Sequence, residues 1–172
     1  MALVRAHGVA LIADVRKIPR SRRHPHFDAA TLPATLADAG LGYVHLPGLG
    51  GLRRARPESV NRGWRNPSFR GYADYMQTVE FAAALAQLIE LARKHPTAIM
   101  CAEACWRRCH RALLADALVA RGEPVLHIVS AERAEGAPAA RIRPRRRSRG
   151  HLSRSAGALL TRPGLTRPTA AA

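Results

Sequence analysis

The chain has 172 residues and a formal net charge of +16, from 28 Lys and Arg against 12 Asp and Glu. This length suits one domain of ordinary size with an extension, and the charge favours an anionic partner; the arginine usage of a GC-rich genome is an alternative explanation of the charge. No apolar run approaches the ~20 residues of a membrane span, and no secretory signal is visible, so no membrane partner is expected. Because the three cysteines lie close together with no framework for disulfides, we expect a cytoplasmic protein with free thiols.

Four apolar runs in the chain predict strands, and the segments between them have helical patterns. The runs are 8–16, 43–46, 97–100 and 124–129, and the helical patterns cover 28–39, 72–94 with a break near Thr78, and the segment from the cysteines to Gly122. Right-handed crossovers turn this order into an open, mostly parallel sheet of about four strands with helices on both faces, a flavodoxin- or Rossmann-like α/β fold. No G-x-G-x-x-G motif follows a strand, so a dinucleotide is not implied and no cofactor is expected.

A connection of about 25 residues, 47–71, is far longer than the ~4–6 residues that usually join elements of a domain. It carries six arginines, Trp64 and Phe69, with Glu58 as its only acid. Such a composition favours a binding loop over plain disorder. The alternative is a loop that packs Trp64 against the edge of the core and leaves its arginines in solvent.

The segment 134–172 differs in character from the rest of the chain. It has nine arginines against the single acid Glu135, and it is rich in Ala, Pro, Ser and Gly without a sustained period. This composition predicts a disordered basic tail. We therefore expect an α/β domain over residues 1–133 and a tail over residues 134–172.

Reactive side chains are concentrated between Ala98 and Leu114, where a predicted strand ends and a predicted helix begins. Polar residues also follow the other strands, and the carboxyl ends of parallel strands meet at one edge of a sheet, where ligand crevices form. The residues expected to face this crevice are Asp14, Arg16, Arg20, Ser21, His45, Cys101, Glu103, His110 and Arg111.

The same residues belong to motifs that follow one another along the chain. These are Asp14-Val-Arg-x-x-Pro-Arg-Ser21, Tyr43-x-His-Leu-Pro-x-Leu-Gly-Gly51, Phe69-Arg-Gly-Tyr72, Met100-Cys-Ala-Glu103, Cys109-His-Arg111 and Val125-x-His-Ile128. In this order the sequence resembles the family called domain of unknown function 488 over most of residues 8–129. The resemblance implies a compact α/β domain with its characteristic residues gathered on one side, and it implies no particular activity. Where a further His-x-Leu-Thr segment is expected after the last strand, this chain has its Arg-rich tail.

Cys101 is the first candidate for chemistry, because a cysteine before a helix N-terminus and near arginines has a lowered pKa and can act as a nucleophile or sulfur carrier. An inert buried thiol is the alternative. Candidate catalytic residues are Cys101, Glu103, Asp14 and His110, and candidate substrate-binding residues are Arg16, Arg20, Ser21, His45, Trp64, Arg70 and Arg111. Asp14 has the further alternative of capping the loop after its strand.

A metal site is not expected, although Cys101, Cys105, Cys109 and His110 are soft ligands. On a helix Cys105 and Cys109 share a face, whereas His110 points about 100° away from Cys109. The spacing also differs from the paired C-x2-C knuckles of structural zinc sites. Zinc completed by His24, His26 or His45 is the alternative.

Three functions follow from this sequence. The first is a small enzyme whose crevice handles an anionic substrate, for which a nucleic acid or a nucleotide are examples. The second is a non-catalytic nucleic-acid-binding module that uses the Arg/Trp loop and the tail. The third is persulfide transfer in the manner of rhodaneses, because Cys101 and Arg107 have the spacing of their anion loop. A reactive Cys101 separates the first and third functions from the second.

Overall fold

Strand β1, Leu11–Asp14, is the centre of the main sheet in this computed structural model, which describes residues 1–137. It lies between β2, Gly42–His45, and β3, Thr97–Met100, and both pair with it in parallel. All four β1 residues are buried, as its continuous apolar run predicts. The register sets Asp14 opposite His45 on one side and Met100 on the other, so the three carboxyl ends meet at one edge.

Five α-helices surround this sheet within the described residues. They are α1, Ala2–Ala6; α2, Leu32–Asp38; α3, Pro67–Tyr75; α4, Val79–Lys94; and α5, Arg111–Val119. Because successive strand residues point to opposite faces, Ile12 belongs to a cluster with Leu32 and Leu36 of α2, whereas Ala13 belongs to the larger core formed with α3, α4 and α5. None of the helices in residues 1–137 has the length and apolar character that crossing a bilayer requires.

The break predicted near Thr78 is confirmed. Helix α3 ends at Tyr75, and the Thr78 hydroxyl accepts a hydrogen bond from the Phe81 amide to cap α4.

The long connection before α3 is held by a single carboxylate, that of Asp74. It accepts hydrogen bonds from the Arg56 amide, the Ser59 hydroxyl and the Asn61 side chain, at 2.9, 2.6 and 2.7 Å. These bonds lower the pKa of Asp74, the one to Ser59 most.

The predicted sheet of about four strands is confirmed only for three. The fourth apolar run forms β4, Leu126–Ile128, which pairs antiparallel with β5, Ala134–Gly136, in a separate two-stranded sheet. A short turn over residues 129–133 allows β4 to pair with the segment that follows it, whereas a parallel neighbour needs a long crossover. Strand β5 lies in the segment 134–172, which the sequence predicts to be a tail. Residues 138–172 of that segment lie outside the described part of the chain.

Candidate functional site

A closed polar group lies at the carboxyl end of β1. The fully buried Asp14 carboxylate accepts hydrogen bonds from the Arg16 guanidinium at 2.6 to 3.0 Å, from the Arg16 amide at 3.0 Å and from the Tyr43 hydroxyl at 2.9 Å. Nε2 of His45 lies 2.8 Å from the Arg16 carbonyl oxygen. Arg16 and Tyr43 therefore pair the Asp14 carboxylate within the protein, and these three residues are here named the aspartate group.

The electrostatics of the aspartate group keep Asp14 and Arg16 ionised and Tyr43 neutral. Burial acts to raise the pKa of Asp14, but the hydrogen bonds from Arg16 and Tyr43 outweigh it and lower that pKa. Burial and the bond to Asp14 raise the pKa of Tyr43 to about 12. This geometry gives Asp14 and Arg16 a structural role, and it offers no direct support for their predicted roles in catalysis and substrate binding.

The segment after β3 is not the continuous helix that the sequence predicts. A 3₁₀ turn spans Trp106–Arg108, and α5 begins only at Arg111. The Arg111 guanidinium donates to the backbone carbonyls of Glu103 and Ala104, which holds the segment in its non-helical path. Consequently Cys101 does not directly precede a helix, and Cys105 and Cys109 share no helix face, the first being exposed and the second buried.

This path brings two thiols and an imidazole together. Nδ1 of His110 lies 3.6 Å from Sγ of Cys109 and 4.0 Å from Sγ of Cys101, and the three atoms lie within 4.8 Å of one another. Cys109 is buried, whereas Cys101 and His110 are half-buried. We name these three residues the thiol–imidazole cluster. His110 therefore faces Cys109, whereas helical geometry predicts that it points away.

Two motifs on other elements position the imidazole of His110. A Cβ on Gly51 would lie 2.8 Å from Nδ1, so only a glycine leaves room for the ring at this distance. The ring of Tyr72 lies 5.0 Å from that of His110, and its hydroxyl donates to the Leu49 carbonyl at 2.9 Å. The Leu-Pro-x-Leu-Gly-Gly and Phe-Arg-Gly-Tyr motifs therefore form a frame around the thiol–imidazole cluster.

The pKa values of the two thiols in the cluster shift in opposite directions. A hydrogen bond with Cys109 and burial raise the pKa of Cys101. The hydrogen bond from Cys101 lowers the pKa of Cys109; burial opposes this, and His110 and the Arg111 amide, 3.5 Å from the sulfur, reinforce it. The direction for Cys101 is thus opposite to the lowered pKa that the sequence predicts.

Glu103 and Arg111 contact each other beside the cluster, but the Glu103 carboxylate takes no part in that contact. Glu103 contributes its backbone carbonyl to Arg111, and its side chain is exposed. Within the described residues, Nε of Arg111 and Nε2 of His110 are buried without a hydrogen-bond partner. Buried polar atoms without a hydrogen-bond partner are uncommon in proteins.

The β4–β5 hairpin closes one side of the same segment. His127 stacks on Trp106 with ring centroids 3.5 Å apart, and the Arg107 guanidinium lies over Trp106 and donates to Glu135 at 3.1 Å. His127 was not predicted as a site residue, although it stands in the Val-x-His-Ile motif. Because Arg107 is engaged with Trp106 and Glu135, its spacing from Cys101 gives no support to an anion loop of the rhodanese type.

Of the remaining predicted site residues, Arg20, Ser21 and Trp64 lie on loops, and Arg70 lies on α3. Arg20 is exposed, and the Ser21 hydroxyl accepts from the His24 amide. Trp64 stacks on Phe69 at 5.6 Å and is 40% exposed, while its carbonyl accepts from the Arg70 guanidinium at 2.9 and 3.1 Å. His24, His26 and His45 are not part of the thiol–imidazole cluster.

Comparison with known proteins identifies the family of this chain. No curated protein and no solved structure matches the chain. The model of the family described as Domain of unknown function DUF488 matches residues 1–118, which include the aspartate group and the whole thiol–imidazole cluster. The chain therefore belongs to the family Domain of unknown function DUF488.

Proposed function

We propose that this protein is an enzyme that acts on an anionic substrate at the thiol–imidazole cluster. The observation that carries the proposal is the convergence of Cys101, Cys109 and His110 within 4.8 Å, next to Arg111 and at the edge where the parallel strands end. Thiols and imidazoles are the side chains that supply nucleophiles, proton carriers and metal ligands. Packing alone does not require three such groups to face one another.

The charge around the cluster favours an anion as the substrate. The exposed side chains of Lys17 and Arg108 lie on the segments that frame the site, and Arg111 has a buried Nε without a partner in the described part of the chain. Lys17 packs against Gly50, the neighbour of the glycine that touches His110. A cationic rim of this kind raises the local concentration of anions such as nucleic acids and nucleotides.

Protection from alkylation tests whether an anion reaches the cluster. Iodoacetamide labelling of each cysteine is followed by mass spectrometry with and without a single-stranded oligonucleotide, a nucleoside triphosphate or inorganic phosphate. We expect at least one of these probes to slow the labelling of the half-buried Cys101. The exposed Cys105, in the same segment, is the internal control and should label at an unchanged rate.

Conversion of the protecting probe separates the enzyme from a binding module. We expect mass spectrometry of the probe to show a product with the wild-type chain and with Cys105→Ser, and none with Cys109→Ser. Protection without a product would favour the non-catalytic module. Labelling of Cys101 that none of the three probes slows would remove the anionic substrate from the proposal.

The alternative of a nucleic-acid-binding module is favoured by one specific observation on the long loop. Trp64 is 40% exposed beside the exposed Arg62 and Arg65, and Asp74 fixes the loop that carries them. An exposed indole among arginines can stack on a base. If it does so, Trp64→Ala should weaken single-strand binding by about 1–3 kcal/mol, whereas Val60→Ala, an exposed change in the same loop, should leave it unchanged. Equal affinities in fluorescence anisotropy would assign Trp64 to packing on Phe69 alone.

A further inference from the structure

The thiol–imidazole cluster has the spacing of a metal site. With Zn–S distances of about 2.3 Å and Zn–N distances of about 2.0–2.1 Å, tetrahedral angles set sulfur and nitrogen ligands about 3.6 Å apart and two sulfurs about 3.8 Å apart. The structure has 3.6 Å and 4.0 Å between Nδ1 of His110 and the two sulfurs, and no pair of the three atoms is farther apart than 4.8 Å. The ligand atoms therefore need to move by only a few tenths of an ångström to at most about 1 Å to meet one ion.

We infer that Cys101, Cys109 and His110 bind a zinc ion through their two Sγ atoms and Nδ1. The frame that holds the ligands favours this, because Gly51 and Tyr72 confine the imidazole and the Arg111 amide contacts the Cys109 sulfur. Ligands that are fixed before the ion arrives bind it more tightly.

The hydrogen bonding of His110 is consistent with this inference. Its Nδ1 has only sulfur atoms as neighbours within hydrogen-bond distance, and its Nε2 is buried without a partner in residues 1–137. A metal on Nδ1 fixes the tautomer with the proton on Nε2, which is the arrangement in which ligating histidines bind a water or carbonyl through their second nitrogen. Both polar contacts of Nδ1 in residues 1–137 are therefore with the atoms that would be its fellow ligands.

Charge and access also fit zinc. Two thiolates neutralise Zn²⁺, so the bound ion adds no charge to a strongly basic protein. Cys101 is half-buried, which leaves a route for the ion from solvent. Three protein ligands leave the fourth tetrahedral position for water or substrate, as in catalytic zinc sites, whereas structural sites use four protein ligands.

Cobalt substitution tests the site directly. The full chain is reduced with a phosphine, freed of metal with a chelator and titrated with Co²⁺. We expect one equivalent to bind with the intense visible bands of a tetrahedral ion and the near-ultraviolet charge-transfer band of thiolate ligands, and Zn²⁺ to displace it. Cys101→Ser, Cys109→Ser and His110→Ala should each weaken zinc binding by more than the roughly 10–100-fold that loss of a second-shell partner costs.

Cys105→Ser is the matched control, because Cys105 is exposed and outside the cluster. Its cobalt spectrum and zinc affinity should equal those of the wild type. A second measurement needs no variant: zinc should protect Cys101 and Cys109 of the wild-type chain from iodoacetamide and leave Cys105 reactive. A folded wild-type protein without the thiolate–cobalt band, or with zinc protection at Cys105 alone, would overturn the inference.

The zinc site and the proposed enzyme can fail independently. Zinc binding without conversion of any protecting probe would leave a metal centre in a protein that is not an enzyme of the proposed kind. Conversion that persists after the metal is removed, in a chain that gives no thiolate–cobalt band, would retain the enzyme and remove the zinc. Conversion that is lost on chelation and restored by Zn²⁺ would support both.

Discussion

The aspartate group and the thiol–imidazole cluster lie at the ends of neighbouring parallel strands, and they differ in how far their polar atoms are satisfied. Asp14 accepts hydrogen bonds from both Arg16 and Tyr43, and Asp14 and Arg16 are 0% and 7% exposed. His110, in contrast, faces two thiols and has a buried nitrogen without a partner in the described residues. The carboxylate of the first group is paired within the protein, whereas the second group has a buried nitrogen without a partner in residues 1–137.

This difference bears on how polar residues at a sheet edge are interpreted. Position at the carboxyl end of a parallel strand made both Asp14 and Cys101 candidates for catalysis, with Cys101 first. The contacts separate them, because the Asp14 carboxylate is buried and paired with Arg16 and Tyr43 and so contributes to the fold. Groups that are brought together without satisfying one another are the better candidates for chemistry.

The largest expected loss of stability comes from removing the charge partner of Asp14 in the aspartate group. Arg16→Leu should destabilise the protein by about 3–5 kcal/mol, because it leaves the Asp14 carboxylate buried without its charge partner. Arg20→Leu, a change at an exposed arginine of the same loop, should cost little. Urea unfolding at neutral pH measures both. Equal stabilities of the two variants would show that Asp14 and Arg16 are not a structural pair.

The pH dependence of that loss follows from the lowered pKa of Asp14. A carboxyl group with a lower pKa in the folded state contributes stability above its unfolded pKa of about 3.9, and the contribution is lost as the pH falls through the folded pKa. The difference between wild type and Arg16→Leu should therefore shrink in acid. A difference that is constant down to strongly acidic pH would contradict the lowered pKa.

The second prediction concerns Gly51, which is part of the frame around the thiol–imidazole cluster. Gly51→Ala should place a Cβ 2.8 Å from Nδ1 of His110 and force the ring, which Tyr72 confines on another side, to move. Overpacking of this kind costs about 1–3 kcal/mol and should also weaken zinc binding. Gly63→Ala is the control, since nothing lies within 4 Å of its added Cβ. Unfolding curves and zinc titrations that coincide for the two variants would show that Gly51 does not position His110.

Much of the sheet could be predicted because its signals are local. The apolar run that ends at Asp14 and the short runs before His45 and Cys101 predict parallel strands whose ends meet, and the structure has that arrangement. The contact of Tyr43 with Asp14 follows once the register is known, since Tyr43 lies opposite Ile12, two residues before Asp14 and on the same face of the sheet.

The parts that could not be predicted depend on contacts between distant segments. The three residues of β5, Ala134–Gly136, have no apolar pattern, and β4 pairs with them because a short turn brings them alongside. Cys109 and His110 meet Cys101 only because the intervening segment is not helical, and the stack of Trp106 on His127 and the bonds of Arg111 hold it so. A pattern of 3.6-residue spacing contains none of this information.

The smallest expected effect on stability concerns His127. Its stack on Trp106 connects the β4–β5 hairpin to the segment that carries the thiol–imidazole cluster. Burial lowers the pKa of His127, the nearby Arg107 and Arg111 reinforce the change, and Glu135 opposes it. The neutral ring can stack on Trp106 without placing a further cation beside these two arginines.

The sign of its pH effect follows from proton linkage. Below the unfolded pKa of about 6.5 the unfolded chain binds a proton that the folded chain does not, so stability falls as the pH decreases from there to the folded pKa. His127→Phe keeps a ring for Trp106 and removes the titration. In urea unfolding at several values between about pH 7.5 and 5, the wild type should therefore lose stability relative to His127→Phe, while the other histidines cancel in the comparison. A difference that is independent of pH would mean that His127 binds its proton as readily in the folded protein as in the unfolded chain, and hence that the hairpin does not shield it.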